Sequence, residues 1–133
     1  MEILFPGGKK VDAIYKGFTI RTDQSRESGG EGSAPAPFDL FLASIGTCAG
    51  IFVLFFCQER GIPTEGVRVI LRTEREREAS MISKITIEIR LPPDFPEKYE
   101  RAVIRSAELC AVKKHLEAPP LFEIYAKRGG TRP

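Results

Sequence analysis

Asparagine is absent from the 133 residues, glutamine occurs only at Gln24 and Gln58, and His115 is the single histidine. With Glu, Lys and Arg plentiful, the shortage of amides follows a bias reported for proteins of hot environments. Cysteine is scarce as well: Cys48, Cys57 and Cys110 are odd in number and far apart, which excludes a disulfide framework. There is no CxxC and no paired Cys/His spacing, so neither a metal nor a cofactor is expected. The N-terminus, MEILFPGGKKVDAIYKG, lacks the basic start, apolar stretch and small-residue cleavage site of a secretory signal. A cytoplasmic protein with reduced thiols is expected, although intracellular proteins of hyperthermophiles can hold stable disulfides. Long runs of one charge are also missing: 20 basic and 18 acidic residues are dispersed along the chain for a net charge of +2, which argues against a nucleic-acid partner.

What is present suits one domain over residues 1–133, with 42% hydrophobic residues and a single core. Glu2 to Phe5, Val11 to Tyr15 and Phe18 to Thr22 read as an antiparallel meander, with Gly7-Gly8 and Lys16-Gly17 at its turns. The run from Asp23 to Pro37, rich in Gly, Ser and Pro, predicts an exposed loop of a length that is often functional. Pro37 and Asp39 then open a helix that should end at Gly61 before Pro63, roughly 35 Å long. Val67 to Glu78 and Ile82 to Leu91 predict a long hairpin, and the alternating charges Glu74 to Glu78 near its tip read as cross-strand pairs. An amphipathic helix from Pro96 to about Leu109 follows, then Cys110, a short helical turn through Leu116, and a last strand, Leu121 to Lys127.

The central helix carries no charge from Leu40 to Cys57, 18 positions, which is the length at which a membrane span has to be weighed. Against a membrane stand the absence of flanking Lys/Arg clusters and the half-polar strands on either side, which need a helix to pack on. Such a helix must be covered on every face, and two thin sheets from one short chain can hardly wrap it. A homodimer with two copies of the helix side by side is the economical solution; Gly46-Thr47-Cys48-Ala49-Gly50 has the small residues that allow close approach.

Within that helix Cys48 has two readings. A cysteine among apolar neighbours is ordinarily an inert core residue, with its pKa raised by burial. A reactive Cys48 requires a cation brought to it, and Lys9, Lys10, Arg21 and Arg26 are the candidates. Cys57, nine positions on, falls on the opposite helix face and reads as core; His115 reads as a surface or helix-end residue.

The stretch SAPAPFDLFLASIGTCAGIFVL, with AELCAVKKHL after the second helix, resembles the OsmC-like family, which includes the organic hydroperoxide resistance proteins. The resemblance covers nearly the whole chain. It implies an α+β OsmC-like fold, antiparallel sheets packed on long central helices in an intertwined homodimer, with active sites at the subunit interface. It also implies Cys48 as peroxidatic and Cys110 as resolving thiol, an organic hydroperoxide as substrate and a dithiol as reductant, without metal, nucleic acid or membrane. Two positions depart from the peroxidase members: Phe38 stands where they carry a Glu, with Asp39 one residue later, and Gly7-Gly8-Lys9-Lys10 replaces their activating Arg, leaving Lys9 or Arg21 as the cation. Ala111 follows the second cysteine where the family often has Pro. These departures keep a second reading open, a non-enzymatic dimer that binds an apolar small molecule or senses redox state.

Overall fold

The computed structural model describes residues 1–78 and 80–129. Three short strands come first, β1 (Glu2–Gly7), β2 (Lys10–Tyr15) and β3 (Phe18–Thr22), joined in sequence order as an antiparallel sheet. The β2–β3 connection is Lys16-Gly17, both at positive φ, which matches the right-handed twist of a two-residue hairpin. After the loop comes α1 (Pro37–Glu59), with Pro37 at its first turn. It stops where Gly61, at φ 63°, lets the N–H of Ile62 return to the carbonyl of Cys57 at 2.9 Å. The second sheet is the hairpin β4 (Arg68–Arg75) and β5 (Ile82–Arg90), followed by α2 (Glu100–Ala107) and α3 (Ala111–Glu117).

By length and composition α1 is able to cross a membrane. In the fold one side of it makes the core: Ala49, Val53, Phe56 and Cys57 pack with Phe95 and with Val103 and Ala107 of α2, flanked by Val69, Ile87 and Ile89 of the hairpin. Val103 is fully buried, so Val103→Ala leaves a void that costs about 2.5 kcal/mol in chemical denaturation, with the slope of the transition unchanged.

Two expectations are corrected. The segment Leu121 to Lys127 is not a strand; it has no regular structure, and Leu121, Phe122, Ile124 and Tyr125 are almost wholly exposed. The alternation that predicts a strand does not supply one with a hydrogen-bonding neighbour, and neither sheet of this chain pairs with it. The loop after β3 is exposed over most of its length, but it closes on a buried residue, Asp23. One Asp23 oxygen accepts from the N–H of Gln24 at 2.8 Å; the other accepts from the N–H groups of Glu31 and Ser33 and from the Ser33 hydroxyl at 3.2, 3.0 and 2.7 Å. With Asp23 N–H bonded to the Pro35 carbonyl at 3.2 Å, this clamp sets where the chain enters α1.

The meander is uncovered. All of β1 is exposed, as are Phe18 and Ile20 of β3, and on α1 the row Ala43, Thr47, Ile51, Phe55 lies open at helical spacing. The chain presents 10987 Å² to solvent, where a folded monomer of 14.8 kDa presents about 7,000 Å².

Candidate active site

Cys48 sits half-buried midway along α1, next to the open row, and Cys110 is fully buried in the junction between α2 and α3. The tertiary fold brings them together because α2 and α3 both pack on α1. Cys110 is the residue that caps α3: its backbone is non-helical (φ −46°, ψ 117°) and its sulfur accepts the N–H of Lys113 at 3.4 Å. Its thiol also faces the carbonyl of Ile45, 3.9 Å away, one helical turn before Cys48.

The two thiols are pushed in opposite directions. Hydrogen bonding from the backbone N–H of Val112 pulls Cys48 below the ordinary thiol range; burial opposes it, and the Cys110 thiol and the N–H of Ala111 add to it. Cys110 is pushed up, first by burial and further by the neighbouring Cys48, with only the Lys113 and Val112 N–H groups acting the other way. A pair so displaced divides the work: Cys48 is the more readily ionised thiol and Cys110 the less. Both are free thiols.

Among the described residues the groups that lower Cys48 are backbone donors and the Cys110 thiol, and none of them is a cation. Lys9 lies exposed in the β1–β2 turn, beside Gly29 of the loop. Lys10 pairs with Glu31 at 2.6 Å, and Arg21 is exposed on β3, opposite Asp12. Arg26 donates to the Glu31 carbonyl at 3.3 Å. Asp39 accepts the N–H of Ala36 at 3.0 Å and so caps its own helix. The fold thus joins Cys48 to Cys110 and, within one chain, leaves Lys9, Arg21 and Asp39 elsewhere. Cys57 is buried and its thiol is raised by burial, as a core cysteine should be. His115 is exposed near the end of α3, with Nδ1 2.7 Å from the Ala111 carbonyl.

Ala111, Val112 and Lys113 are the functional positions that sequence reasoning passed over. They act through the main chain, so their side chains carry no signal; the only hint is that Cys110 directly precedes a helical segment. Between α1, the hairpin and α3 runs a groove of about 960 Å³, lined by Phe38, Phe41, Ile45, Ile85 and Leu116 together with Arg75, Lys84, Lys113 and Glu117. Phe38, where the peroxidase members carry an acid, packs on Phe41 at 5.3 Å between ring centres, and the Arg75 guanidinium stands 5.9 Å from its ring. Ile45 and Lys113 belong both to the groove and to the surroundings of Cys110.

Residues 30–124, which hold both cysteines, match the family model of OsmC-like proteins. The chain belongs to the OsmC-like family. Its fold is that of OsmC-like proteins of known structure. One, from Psychrobacter arcticus 273-4, is described as an osmotic stress induced and detoxification response protein; it superposes with a TM-score of 0.71 over 85% of this chain and 84% of its own, at 21% identity. Another, from Legionella pneumophila, is described as an organic hydroperoxide resistance protein, OsmC, and a regulator of sulfide bond formation; the TM-score is 0.54 over 86% and 85% of the two chains, at 18% identity. At these identities the two structures establish the α+β OsmC fold. No curated protein sequence matches the chain.

Proposed function

We propose that this OsmC-like protein reduces organic hydroperoxides through Cys48 and Cys110, in the cytoplasm and as a homodimer. The observation that carries the reading is the thiol pair itself, a lowered Cys48 and a raised, buried Cys110 acting on each other, with Cys110 bonded to Ile45 and Lys113 of the groove lining. In the reaction the Cys48 thiolate attacks the peroxide, the O–O bond breaks, one oxygen stays on sulfur and the alkoxide leaves as an alcohol after taking up a proton. Cys110 then attacks the sulfenic sulfur; the S–S bond forms and water departs. A dithiol reductant supplies two electrons and two protons to restore both thiols. The groove suits the alkyl part of the substrate. The name of the Legionella protein, organic hydroperoxide resistance protein, supports the same chemistry.

The dimer rests on area. About 4,000 Å² of surface in excess of a monomer's is of the size that obligate subunits bury, and large apolar side chains lie exposed on the meander, on α1 and in the segment after α3. Gly50, with nothing within 4 Å of where its Cβ would stand, leaves room on α1 for a second helix. On this reading the partner's Cys48 takes its cation from that uncovered meander, which carries Lys9 and Arg21. Sedimentation should return twice the 14.8 kDa chain mass without detergent, and titrating the reduced protein with an alkyl hydroperoxide should consume two thiols and form the Cys48–Cys110 disulfide. Thiol loss that does not depend on peroxide sinks the reading.

A second reading has one observation in its favour: Phe38, where the peroxidase members place an acid, lines the groove. On that reading the groove holds an apolar ligand and the thiols sense redox state. Native mass spectrometry then finds a co-purified small molecule, and hydroperoxide turnover is absent.

A further inference from the structure

We propose that the groove between α1, the hairpin and α3 binds an anionic amphiphile, a carboxylate on an unbranched alkyl chain, with Arg75 holding the head and the apolar wall of α1 the tail. This gives the ligand a charge and a direction. As a statement about substrate it rests on the peroxidase reading; as a statement about binding it does not.

The tail follows from the lining. Phe38, Phe41 and Ile45 recur at helical spacing on one side of α1 and share the groove with Ile85 of β5 and Leu116 of α3. Phe38 and Leu116 are 47% and 48% exposed, so apolar surface along the groove is left to water within this chain. Phe38 and Ile45 stand seven residues apart, which makes the α1 wall about 10 Å long, a length that takes an extended chain. By the same helical geometry this wall lies opposite Ala43 and Thr47, where the open row begins, so two copies paired through that row leave it free.

The head follows from charge. Arg75, Lys84, Lys113 and Glu117 are the charged residues of the lining, three cations to one acid. Lys84 is already paired with Glu74 and Lys113 with Glu117, each at 3.2 Å. Arg75 forms no ion pair among the described residues. One of its terminal nitrogens donates to the Ser80 carbonyl and its guanidinium stands 5.9 Å from the Phe38 ring, which fixes it where α1 begins and leaves further donors. One guanidinium without an acid suits a monoanion, and its planar fork matches a carboxylate.

With the head at Arg75, the tail runs along Phe38 and Phe41 to Ile45. The carbonyl of Ile45 is the group that the Cys110 thiol faces at 3.9 Å. On the peroxidase reading the substrate is therefore a fatty acid whose hydroperoxide lies well along the chain from its carboxylate, and Arg75 sets specificity without touching the reacting atoms.

The test is calorimetric titration of the whole reduced protein with octanoate, 1-octanol, octylammonium, hexanoate and octyl phosphate. Octanoate should bind, hexanoate roughly tenfold more weakly because two methylenes are missing. The alcohol and the ammonium should each be weaker than octanoate by about tenfold or more. Arg75→Gln should bring octanoate down to the level of 1-octanol and leave 1-octanol unchanged, and Arg75→Lys should restore part of the difference. Leu116→Ala should weaken octanoate and 1-octanol alike. Both residues are exposed, so the variants keep the fold, which circular dichroism checks. Raising the salt should weaken octanoate and spare 1-octanol. Absence of octanoate binding, equal affinity for octanoate and 1-octanol, or equal losses for both in Arg75→Gln overturns the proposal. Much tighter binding of octyl phosphate overturns the carboxylate head, since the paired lysines would then serve as well. None of the probes carries a peroxide, so a protein that does not reduce peroxides still gives an answer.

Discussion

On the proposed reading, Cys48→Ser should abolish peroxide consumption, lowering the rate by at least about a thousandfold, and should leave the fold intact. Serine matches cysteine closely in size but stays a protonated alcohol at neutral pH, so the N–H groups of Val112 and Ala111 have no anion to hold. The position is half-buried and its neighbours stay in place, so the melting temperature should move little. The wild-type rate should rise with pH and reach its plateau below the usual thiol range, since the thiolate is the reacting form and its pKa is depressed. Cys110→Ser separates the steps: the first oxidation proceeds, the sulfenic acid finds no resolving thiol, and mass spectrometry of intact protein should detect sulfinic and sulfonic Cys48. An unchanged rate in Cys48→Ser would move the chemistry to another residue.

Gly30→Ala is expected to be among the most destabilising substitutions outside the core, at about 3 kcal/mol by denaturant unfolding. A Cβ at position 30 falls on the carbonyl oxygen of Gln24, lies 2.6 Å from that carbonyl's carbon and 2.8 Å from a carboxylate oxygen of Asp23. Two of those atoms are main chain, so no side-chain rotation relieves the clash and the loop has to open. Asp23→Asn reaches the same loop by chemistry, since one carboxylate oxygen receives three donors and an amide NH2 in its place would meet them donor to donor. The same cluster predicts a pH effect. Hydrogen bonds, the Ser33 hydroxyl first, hold the folded Asp23 pKa down to about 2, against near 4 when unfolded. A depressed carboxylate contributes its full stability above the unfolded value and loses it as pH falls from about 4 toward 2. Amide exchange of Glu31 and Ser33 should speed up across that window, and in Asp23→Asn it should be fast at every pH.

Of the candidate site, the sequence pattern reached the two cysteines but not what acts on them. Cys48 and Cys110 are legible as thiols at family-like positions flanking recognisable helices. The cation required to activate Cys48 was an inference from side chains, and the side chains named for it, Lys9 and Arg21, lie on a sheet that this chain leaves uncovered. The donors that act on Cys48 are main-chain N–H groups, which every residue except proline carries. They gain meaning only from direction, and direction is set where α3 starts.

The same division runs through the fold. Local chemistry is readable where it is repetitive: Pro37 and Asp39 open α1, Gly61 ends it, and the alternation in Ile82 to Leu91 makes a strand. The segment from Leu121 to Lys127 carries a strand-like alternation yet has no strand, because a strand is completed by a neighbour and its pattern does not specify one. Asp23 looked like any polar loop residue until folding gathered four donors around it. Composition and periodicity by themselves determined every helix and strand but the last expected strand, and the number of thiols. Which thiol ionises more readily was decided only when α2 and α3 packed on α1, because that ordering depends on burial and on the direction of hydrogen bonds between residues far apart in the chain.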